Sequence, residues 1–293
     1  MRRIHVVHPG FLTTVQDLGR FGYTQFGVSP SGAADSVALR AGNLLVGNAE
    51  NAAALEMTLT GGEFAFEGPA VIALTGSDFA ATIPTWRPVE IRAGETVRLG
   101  PARHGARCYL AVRGGLDVPR VMGSASVHLM TGVGGRALRP GDELPIGEAA
   151  VRGPRRPARE VPAHHGLALL RTTAGPQAGW FGDELYRNVY RVSEHSNRMG
   201  IRLDGAPLAA PEGRMVTEGV PLGAVQAPPG GQPIILFVEH QTTGGYPKPA
   251  NVISADFWQL GQLRPRDEVH LERITMEGAL GLLRDQEAWL YSL

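Results

Sequence analysis

The sequence predicts a mainly β protein with few helices. Most of the chain consists of short apolar stretches that end at Gly, Pro or Asp, at spacings of about ten residues, which are typical of the strands and turns of a sandwich or barrel. A turn followed by an alternating strand recurs at 92–99, 139–146 and 264–271, and this repeat suggests one barrel-closing element used more than once. Only 34–46 and 276–290 have the apolar periodicity of a clear helix.

The predicted elements divide into two subdomains. Residues 1–150 are predicted to form an N-terminal β-rich subdomain with one helix, which stops at Gly47. Residues 151–163 are rich in Pro and Arg and contain little that could be buried, so they predict an exposed linker. Residues 164–293 are predicted to form a C-terminal β subdomain, in which a shorter helix begins after Asp183.

Charge and composition argue against several classes of protein. Basic and acidic side chains number 28 each, so the formal net charge is zero and a nucleic-acid partner is not expected. No apolar run approaches the roughly 20 residues of a membrane helix, and the first residues lack the apolar core of a signal peptide. The single cysteine, Cys108, lies in a predicted buried strand and cannot form an internal disulfide. These features predict a cytoplasmic protein.

The most informative segment is 241–248, because it contains Lys248, the only lysine among 28 basic residues. A compact ammonium group in a chain that otherwise uses arginine suggests a local need for a point charge. Two adjacent threonines in the segment offer hydroxyl groups, and two adjacent glycines let backbone amides approach a ligand closely. The segment therefore predicts an anion-binding loop. The alternative is a simple Gly-Gly hairpin that contains a lysine by chance.

Two further segments place polar groups where they could orient a ligand. Residues 13–20 gather Thr, Gln, Asp and Arg around one glycine, which fits either a polar-ligand site or a turn whose side chains cap their own backbone. Residues 27–35 lead into the first predicted helix, so their amide groups and the helix dipole would suit a carboxylate or phosphate. The alternative is an ordinary N-cap, with Ser31 as the capping residue and Asp35 in the first turn.

Familiar catalytic motifs are absent from the sequence. It has no Walker-type phosphate loop, no dinucleotide-binding glycine pattern, no His-Glu-x-x-His helix and no Gly-x-Ser-x-Gly elbow. The nine histidines are scattered, and the adjacent pair His164-His165 has no carboxylate at metal-ligand spacing, so no metal site is predicted. Any enzymatic activity would use a less familiar set of residues.

Several segments in sequence order resemble the carboxyltransferase-like family that is also called allophanate hydrolase subunit 2. These segments are Thr13–Arg20, Gly27–Asp35, Leu45–Asn48, Arg198–Leu203 and Gln241–Lys248. The resemblance extends from about Val6 to Leu271. Members of the family include the C subunit of bacterial 5-oxoprolinase, the KipA antagonist of a sporulation-kinase inhibitor and part of the carboxyltransferase region of urea amidolyase. The family implies a cyclophilin-like β-barrel architecture, with the 241–248 loop on the C-terminal barrel subdomain.

The resemblance implies a protein that works with partners on a small amide or lactam. As the C subunit of a 5-oxoprolinase, it would join an A subunit of the lactam-utilisation type and a B subunit of the KipI or allophanate hydrolase subunit 1 type. Together they would drive the hydrolysis of 5-oxo-L-proline to L-glutamate with ATP and Mg²⁺, bound in the complex at an interface with one of these partners.

Two alternatives remain open. One is the carboxyltransferase component of a biotin-dependent urea carboxylase or amidolyase, and the other is a KipA-like regulatory antagonist of a kinase inhibitor. Lys248 lies in a Tyr-Pro-Lys-Pro context rather than between methionines, so no biotin is expected on this chain.

The resemblance also suggests roles for particular side chains. Lys248 would supply charge for a phosphate or carboxylate, and Asp17 and Asp35 would have orienting or metal-linked roles. The other candidate residues would bind substrate or phosphate: Gln16, Arg20, Ser31, Gly32, Arg198, Gln241, Thr242, Thr243, Gly244, Gly245 and Tyr246.

Three positions depart from the family pattern. Ala125 and Val127 stand where an arginine and a threonine are usual. If that arginine binds substrate, this chain is expected to accept a different substrate or to bind the same one less well. Arg266 replaces a glycine that usually follows Arg-Pro, and this change predicts only a different turn.

Overall fold

The computed structural model describes residues 2–148, 153, 166–209 and 215–293. The chain divides into two compact units. The first contains Met1–Arg20, Ser31–Ala163 and Ala288–Leu293, and the second contains Phe21–Pro30 and His164–Glu287. Apart from Gly153, the predicted linker over 151–163 lies outside the described residues.

The first unit contains two antiparallel sheets and a helix. In chain order its elements are β1 (Arg3–His8), β2 (Leu12–Gln16), α1 (Ser36–Leu45), β3 (Ala54–Thr58), β4 (Glu63–Phe66), β5 (Ala70–Gly76), β6 (Val89–Ile91), β7 (Thr96–Arg98), β8 (Arg107–Val112) and β9 (Glu143–Pro145). One sheet has the strand order β7-β4-β1-β9 and the other has the order β2-β3-β8-β5-β6.

Apolar side chains from both sheets form one buried cluster in the first unit. Ile4 on β1 and Phe64 on β4 belong to the first sheet, and Met57 on β3 and Leu110 on β8 belong to the second. They meet because alternate residues of each strand are apolar and point to the same face. Cys108 on β8 lies in this cluster, as predicted, and burial raises the pKa of its thiol far above the usual range.

Helix α1 begins where Asp35 caps it. The carboxylate oxygen Oδ1 of Asp35 accepts a hydrogen bond from Ala38 N at 2.8 Å, which satisfies one of the backbone donors that a helix start leaves without a partner. Gly47, with a φ of 82°, follows the helix and turns the chain away from it. The predicted helix over 34–46 is confirmed with slightly shorter bounds.

The second unit contains a closed barrel. In chain order its elements are β10 (Leu167–Ala174), α2 (Glu184–Arg187), β11 (Tyr190–Val192), β12 (Gly200–Asp204), β13 (Glu218–Gly219), β14 (Ala224–Gln226), β15 (Ile234–Leu236), β16 (Thr243–Gly244), β17 (Ala250–Val252), α3 (Phe257–Gln262), β18 (Glu268–Arg273) and most of α4 (Met276–Tyr291), whose residues from Ala288 onward belong to the first unit. The barrel order is β10-β17-β14-β15-β12-β11-β18, and the parallel pair of β10 and β18 closes it. The predicted mainly β fold with a barrel is therefore confirmed.

Side chains along β10 alternate between the barrel core and the surface. Ala168 and Leu170 are buried, whereas Leu167 and Leu169 are exposed. This period of two is the pattern expected of a strand with one buried face.

Two strands of the second unit lie outside the barrel sheet. Strands β13 and β16 pair only with each other, through Glu218 opposite Gly244 and Gly219 opposite Thr243. We call this pair the ribbon. It includes two residues of the predicted 241–248 loop, so the geometry of that loop depends on a strand that is distant from it in sequence.

The helices of the second unit agree in part with the sequence pattern. The short helix expected after Asp183 is α2, and the C-terminal helix is α4, so both predictions are confirmed. Helix α3 was not predicted, because its six residues are too few to display a helical period. None of the helices in the described ranges combines the length and the apolar character that crossing a membrane requires.

The repeated turn-and-strand pattern has two different outcomes. All three copies form a turn and then a strand, but β7 and β9 lie at the edges of an open sheet, and only β18 closes the barrel. The idea of one barrel-closing element was therefore wrong for the first two copies, because neighbouring strands rather than the local pattern decide what a strand pairs with. Arg266 keeps a left-handed φ of 74°, the conformation that a glycine would favour.

Candidate functional site

The predicted site residues fall in both units. Those in the first unit are Gln16, Asp17, Arg20, Ser31, Gly32 and Asp35, and those in the second are Arg198 and the loop residues Gln241 to Lys248.

Asp17 is a fully buried carboxylate that ties strand β2 to the segment 120–126. It accepts hydrogen bonds from five donors: Gly19 N at 2.8 Å, the hydroxyls of Ser124 and Ser126 at 2.6 Å each, Ala125 N at 2.8 Å and Arg120 Nη1 at 3.3 Å. A carboxylate has about four lone-pair positions, so these donors use all of them. Of the roles expected for Asp17, the geometry supports orientation of the segment 120–126 rather than metal binding.

No set of metal ligands converges within the described parts of the chain. No group of three His, Cys, Asp or Glu side chains there could surround a metal ion. A magnesium ion that is held mainly by nucleotide phosphates needs only one or two protein carboxylates. A carboxylate that accepts few hydrogen bonds from the protein is therefore the better candidate for a magnesium ligand. The oxygens of Asp17, which accept hydrogen bonds from five donors, are not candidates.

Gln16 lies under the same segment. Its amide Nε2 donates to Val127 O and to Thr14 Oγ1, both at 3.0 Å. Because a carbonyl oxygen only accepts, these bonds fix the orientation of the amide, and Oε1 is left buried without a hydrogen-bond partner in the described residues. Ser31 Oγ also donates to Val127 O, at 3.3 Å. The carbonyl group of Val127 thus joins two of the predicted site residues.

Arg20 and Gly32 show how tightly this region is packed. The Arg20 guanidinium is buried and donates to the carbonyl oxygen of Ser126. Gly32 has a φ of 96°, and a β-carbon there would come within 2.8 Å of the Leu18 backbone, so no other residue fits this turn without strain. Both residues hold the backbone in place, and a role in binding substrate remains a prediction.

The start of helix α1 is already supplied with an internal anion. Glu56 Oε2 accepts from Ala34 N at 2.8 Å and from Tyr109 OH at 2.7 Å, and Tyr109 OH accepts from Asp35 N at 2.8 Å. Burial, together with the carboxylates of Glu56 and Asp35, raises the pKa of Tyr109 well above its usual range. The backbone amide groups of Ala34 and Asp35, which were predicted to suit a ligand anion, therefore donate to protein atoms. Asp35, not Ser31, caps the helix.

Lys248 is the centre of the predicted site in the second unit. Its ammonium Nζ pairs with the carboxylate of Glu218, which lies on β13. Gln177 contacts both partners: its Oε1 accepts from Lys248 N at 2.9 Å, and its Nε2 donates to Glu218 Oε1 at 3.3 Å. The hydrogen bond from Lys248 lowers the pKa of Glu218, which keeps Glu218 a carboxylate. The predicted point charge thus has a defined anionic partner.

The rest of the loop is held by the ribbon and by β14. Thr243 and Gly244 pair with β13, so the loop is not the local Gly-Gly hairpin that was the alternative. Gln241 Nε2 donates to Gln226 Oε1 at 3.4 Å. The Nε2 of Gln226 is buried without a partner in the described residues, and a β-carbon on Gly244 would come within 2.6 Å of it. The side chains of Thr243 and Tyr246 are exposed.

Arg198 stabilises the start of this loop. Its Nε donates to Glu239 Oε1 at 2.5 Å, and Glu239 N donates to Arg198 O at 2.8 Å. Both side chains are buried, so this ion pair is one that should cost stability when either partner is removed. His240 follows, with Nδ1 donating to the carbonyl oxygen of Gln241 at 2.6 Å, and burial lowers the pKa of His240.

Several residues of both groups could not be identified from the sequence. In the first unit they are Glu56, Tyr109, Ser124 and Ser126, and in the second they are Gln177 and Glu218. A charged residue in the apolar stretch of β3 was the one available signal, and it marks Glu56. Glu218 lies among exposed residues with no distinctive pattern, so only the strand pairing reveals it.

Comparisons with known proteins agree with this architecture. The family described as carboxyltransferase domain, subdomain A and B, matches residues 26–273. A relative from Escherichia coli strain K12, named as the C subunit of 5-oxoprolinase, is 40% identical over 307 residues, which cover 99% of this chain and 97% of the relative. A urea amidolyase from Saccharomyces cerevisiae is 33% identical, over 99% of this chain but 18% of the relative.

A solved structure is similar over nearly the whole chain. The crystal structure of the urea amidolyase from K. lactis superposes with a TM-score of 0.91 at 30% sequence identity. The superposition covers 98% of this chain and 20% of the amidolyase. The chain therefore corresponds to about one fifth of that larger protein and to almost the full length of the bacterial relative.

Proposed function

The chain belongs to the carboxyltransferase subdomain A and B family, and from this premise we propose that it is the C subunit of an ATP-dependent 5-oxoprolinase. Together with A and B subunits it would hydrolyse 5-oxo-L-proline to L-glutamate. The observation that carries the proposal is the match to a relative of that name along almost the entire length of both chains. This chain aligns with almost the whole of that C subunit, whereas it aligns with only 18% of the yeast urea amidolyase.

The substrate chemistry suits the second-unit site. 5-Oxo-L-proline has a carboxylate and a lactam, and a lactam is a poor electrophile that needs activation before water can attack it. ATP bound in the complex would supply that activation by phosphorylating the lactam oxygen. Lys248 would bind an anionic oxygen of the substrate, and the backbone amides of Gly244 and Gly245 would lie beside it.

The first-unit residues would act indirectly, by holding the segment 120–126 in position. Asp17 fixes the segment 120–126 through its hydrogen bonds to Ser124, Ala125 and Ser126. Ala125 and Val127, which depart from the family pattern, are both buried, and their backbone groups are used in this network. The departures would therefore alter substrate preference through the packing of the segment.

The proposed partners are a KipI-like or allophanate hydrolase subunit 1-like B subunit and a lactam-utilisation-type A subunit. ATP and Mg²⁺ would bind in the complex, at an interface between this chain and a partner. The complex would be cytoplasmic, where ATP is available.

Reconstitution tests the proposal directly. The chain is mixed with its copurifying A-type and B-type partners, and ATP hydrolysis and glutamate release from 5-oxo-L-proline are measured with each component left out in turn. Glutamate that appears only in the complete mixture supports the proposal. A complete mixture that hydrolyses no 5-oxo-L-proline contradicts it.

A second candidate is supported by the structural similarity to urea amidolyase. In that case the chain would be the carboxyltransferase component of a biotin-dependent enzyme that acts on urea or a related amide. Biotin would be attached to a lysine other than Lys248, because Lys248 is buried and paired with Glu218. Carboxyl transfer from carboxybiotin to urea by the reconstituted complex, without glutamate formation from 5-oxo-L-proline, would favour this candidate.

A further inference from the structure

The ion pair of Lys248 and Glu218 is unequal in burial. The lysine side chain is 3% exposed and the glutamate side chain is 43% exposed. A buried ammonium group strongly favours a paired state, because an isolated buried charge is very costly. A carboxylate that solvent can reach has a weaker preference. The pair therefore consists of a cation that strongly favours a counterion and an anion that can leave.

The ribbon that carries Glu218 is held by few interactions. It has two strands, which are joined through two residue pairs. An independently stable sheet usually needs three or more strands. The residues from Val216 to Gly219 are all exposed, and packing against the core begins only at Val220. Segments with little buried apolar contact open at low free-energy cost. Movement of Glu218 away from Lys248 would break its hydrogen bond from Gln177 and its pairing with Gly244, and Glu218 takes part in no strand pair of the barrel.

A second polar group lies beneath the ribbon. The amide Nε2 of Gln226 is buried and has no hydrogen-bond partner among the described residues. It lies against Gly244, the residue that pairs with Glu218. Buried donors are nearly always satisfied in folded proteins, so this amide indicates a partner such as a water or a ligand oxygen. A ligand that displaces the ribbon could supply that oxygen.

We infer that Lys248 exchanges Glu218 for the carboxylate of an incoming ligand, so that Glu218 neutralises the buried ammonium only until the ligand binds. This inference rests on the proposed function and deepens it, because it identifies the group of the substrate that Lys248 binds. A carboxylate is the expected class, since it carries the same single charge as the glutamate that it replaces. A phosphate, with about 1.5 to 2 negative charges, would leave excess charge in a buried position.

The single lysine makes the exchange directly observable. Protein grown with lysine that carries ¹³C only at Cε has one lysine signal, which must come from Lys248. The full-length chain is titrated with 5-oxo-L-proline, acetate or inorganic phosphate, without partners or ATP. Both carboxylates are expected to shift the lysine signal in a saturable way, and phosphate is expected to shift it only at much higher concentration.

The variant Glu218→Gln removes the competing charge and keeps the size of the side chain. If Glu218 neutralises Lys248 about nine-tenths of the time, its removal should lower the Kd for 5-oxo-L-proline about tenfold. The matched control is Glu268→Gln, because Glu268 is 47% exposed and pairs with the exposed Arg191 in the same unit. This control should bind like the wild type. If Glu218→Gln does not fold, Glu218→Asp, which draws the carboxylate back by one methylene group, should also bind more tightly.

Three results would overturn the inference. They are a lysine signal that no carboxylate moves, an equal or stronger response to phosphate, and an unchanged Kd in the folded Glu218 variant. These outcomes are independent of the 5-oxoprolinase assay, because the titration needs no catalysis. If carboxylates shift the lysine signal but the complex forms no glutamate, the proposed function alone is contradicted. If the complex is active but no carboxylate shifts the lysine signal, the exchange alone is contradicted.

Discussion

Lys248 pairs with Glu218, a residue of the ribbon in the second unit, with the ammonium group buried and the carboxylate partly exposed. Gln177 binds the backbone of the lysine and the side chain of the glutamate, so that the three residues form one hydrogen-bonded group. The only lysine of the chain thus has a fixed position and a partner that solvent can reach. A guanidinium group, which is larger and planar, would not fit the same geometry.

The first prediction concerns Lys248→Arg. Arginine cannot place a compact charge at the same point, so we expect kcat/KM of the reconstituted complex to fall about tenfold or more, which corresponds to about 1.4 kcal/mol or more of transition-state stabilisation. Overpacking of the buried site would cost about 1–3 kcal/mol of folding stability, so the chain should remain folded. Arg191→Lys, in an exposed ion pair of the same unit, is the control and should leave activity unchanged. Near-normal turnover by Lys248→Arg would show that a compact point charge is not required.

The second prediction concerns Asp17→Asn. The substitution replaces one acceptor oxygen by an amide that faces protein donors, so the free energy of unfolding should fall by roughly 3 kcal/mol. Urea denaturation monitored by circular dichroism measures this loss. Asp117→Asn, at an exposed position of the same unit, should change stability little. A stable Asp17→Asn variant with reduced turnover would instead indicate a direct catalytic role.

The third prediction separates capping from catalysis at Asp35. Asn caps helices about as well as Asp, whereas Ala costs about 1 kcal/mol at this position. We therefore expect Asp35→Asn to be nearly neutral and Asp35→Ala to be less stable, with turnover following the folded fraction in both. A turnover defect in Asp35→Asn at unchanged stability would contradict a purely capping role.

The fourth prediction compares the adjacent glycines of the loop. A β-carbon at Gly244 would come within 2.6 Å of Gln226 Nε2, whereas at Gly245 its nearest contact is an ordinary 3.5 Å to Thr217 Oγ1. Gly244→Ala should therefore displace the ribbon and change the signal of the labelled lysine, and Gly245→Ala should not. Equal spectra for both variants would mean that the ribbon adapts without moving Glu218.

The fifth prediction concerns acid. The hydrogen bond from Lys248 holds the pKa of Glu218 below its usual value of 4.5. Because the folded-state pKa is the lower one, the stabilisation by this pair is fully present above that value and is lost as the pH falls through the lowered pKa. The labelled lysine should show an inflection below pH 4.5 that Glu218→Gln lacks. An inflection above this pH would contradict the pairing.

Much of the fold could be predicted from local patterns. Helices α1 and α4 display a helical period over nearly three turns or more, and the strands display alternation between turn residues. The six-residue helix α3 and the ribbon could not be predicted in this way. A short helix lacks a period, and a two-residue strand exists only because another strand lies next to it.

The candidate site was predictable only as a set of segments. The polar character of 13–20, 27–35 and 241–248 is visible in the sequence, but the partners of these segments are not. Glu56 and Tyr109, which bind the amide groups at the start of α1, come from positions 22 and 74 residues away. They accept hydrogen bonds from the backbone amides of Ala34 and Asp35, which the local sequence had suggested could bind a ligand.

The sequence by itself determined the β class, the main helices, the family and the importance of the single lysine, because each of these depends on composition or on residues close together in the chain. The tertiary structure decided which polar groups are satisfied internally. Glu218 reaches Lys248 across 30 residues, and Ser126 reaches Asp17 across 109. Such pairs form only when strands pack, since burial and hydrogen bonding depend on neighbours in space and not on neighbours in sequence.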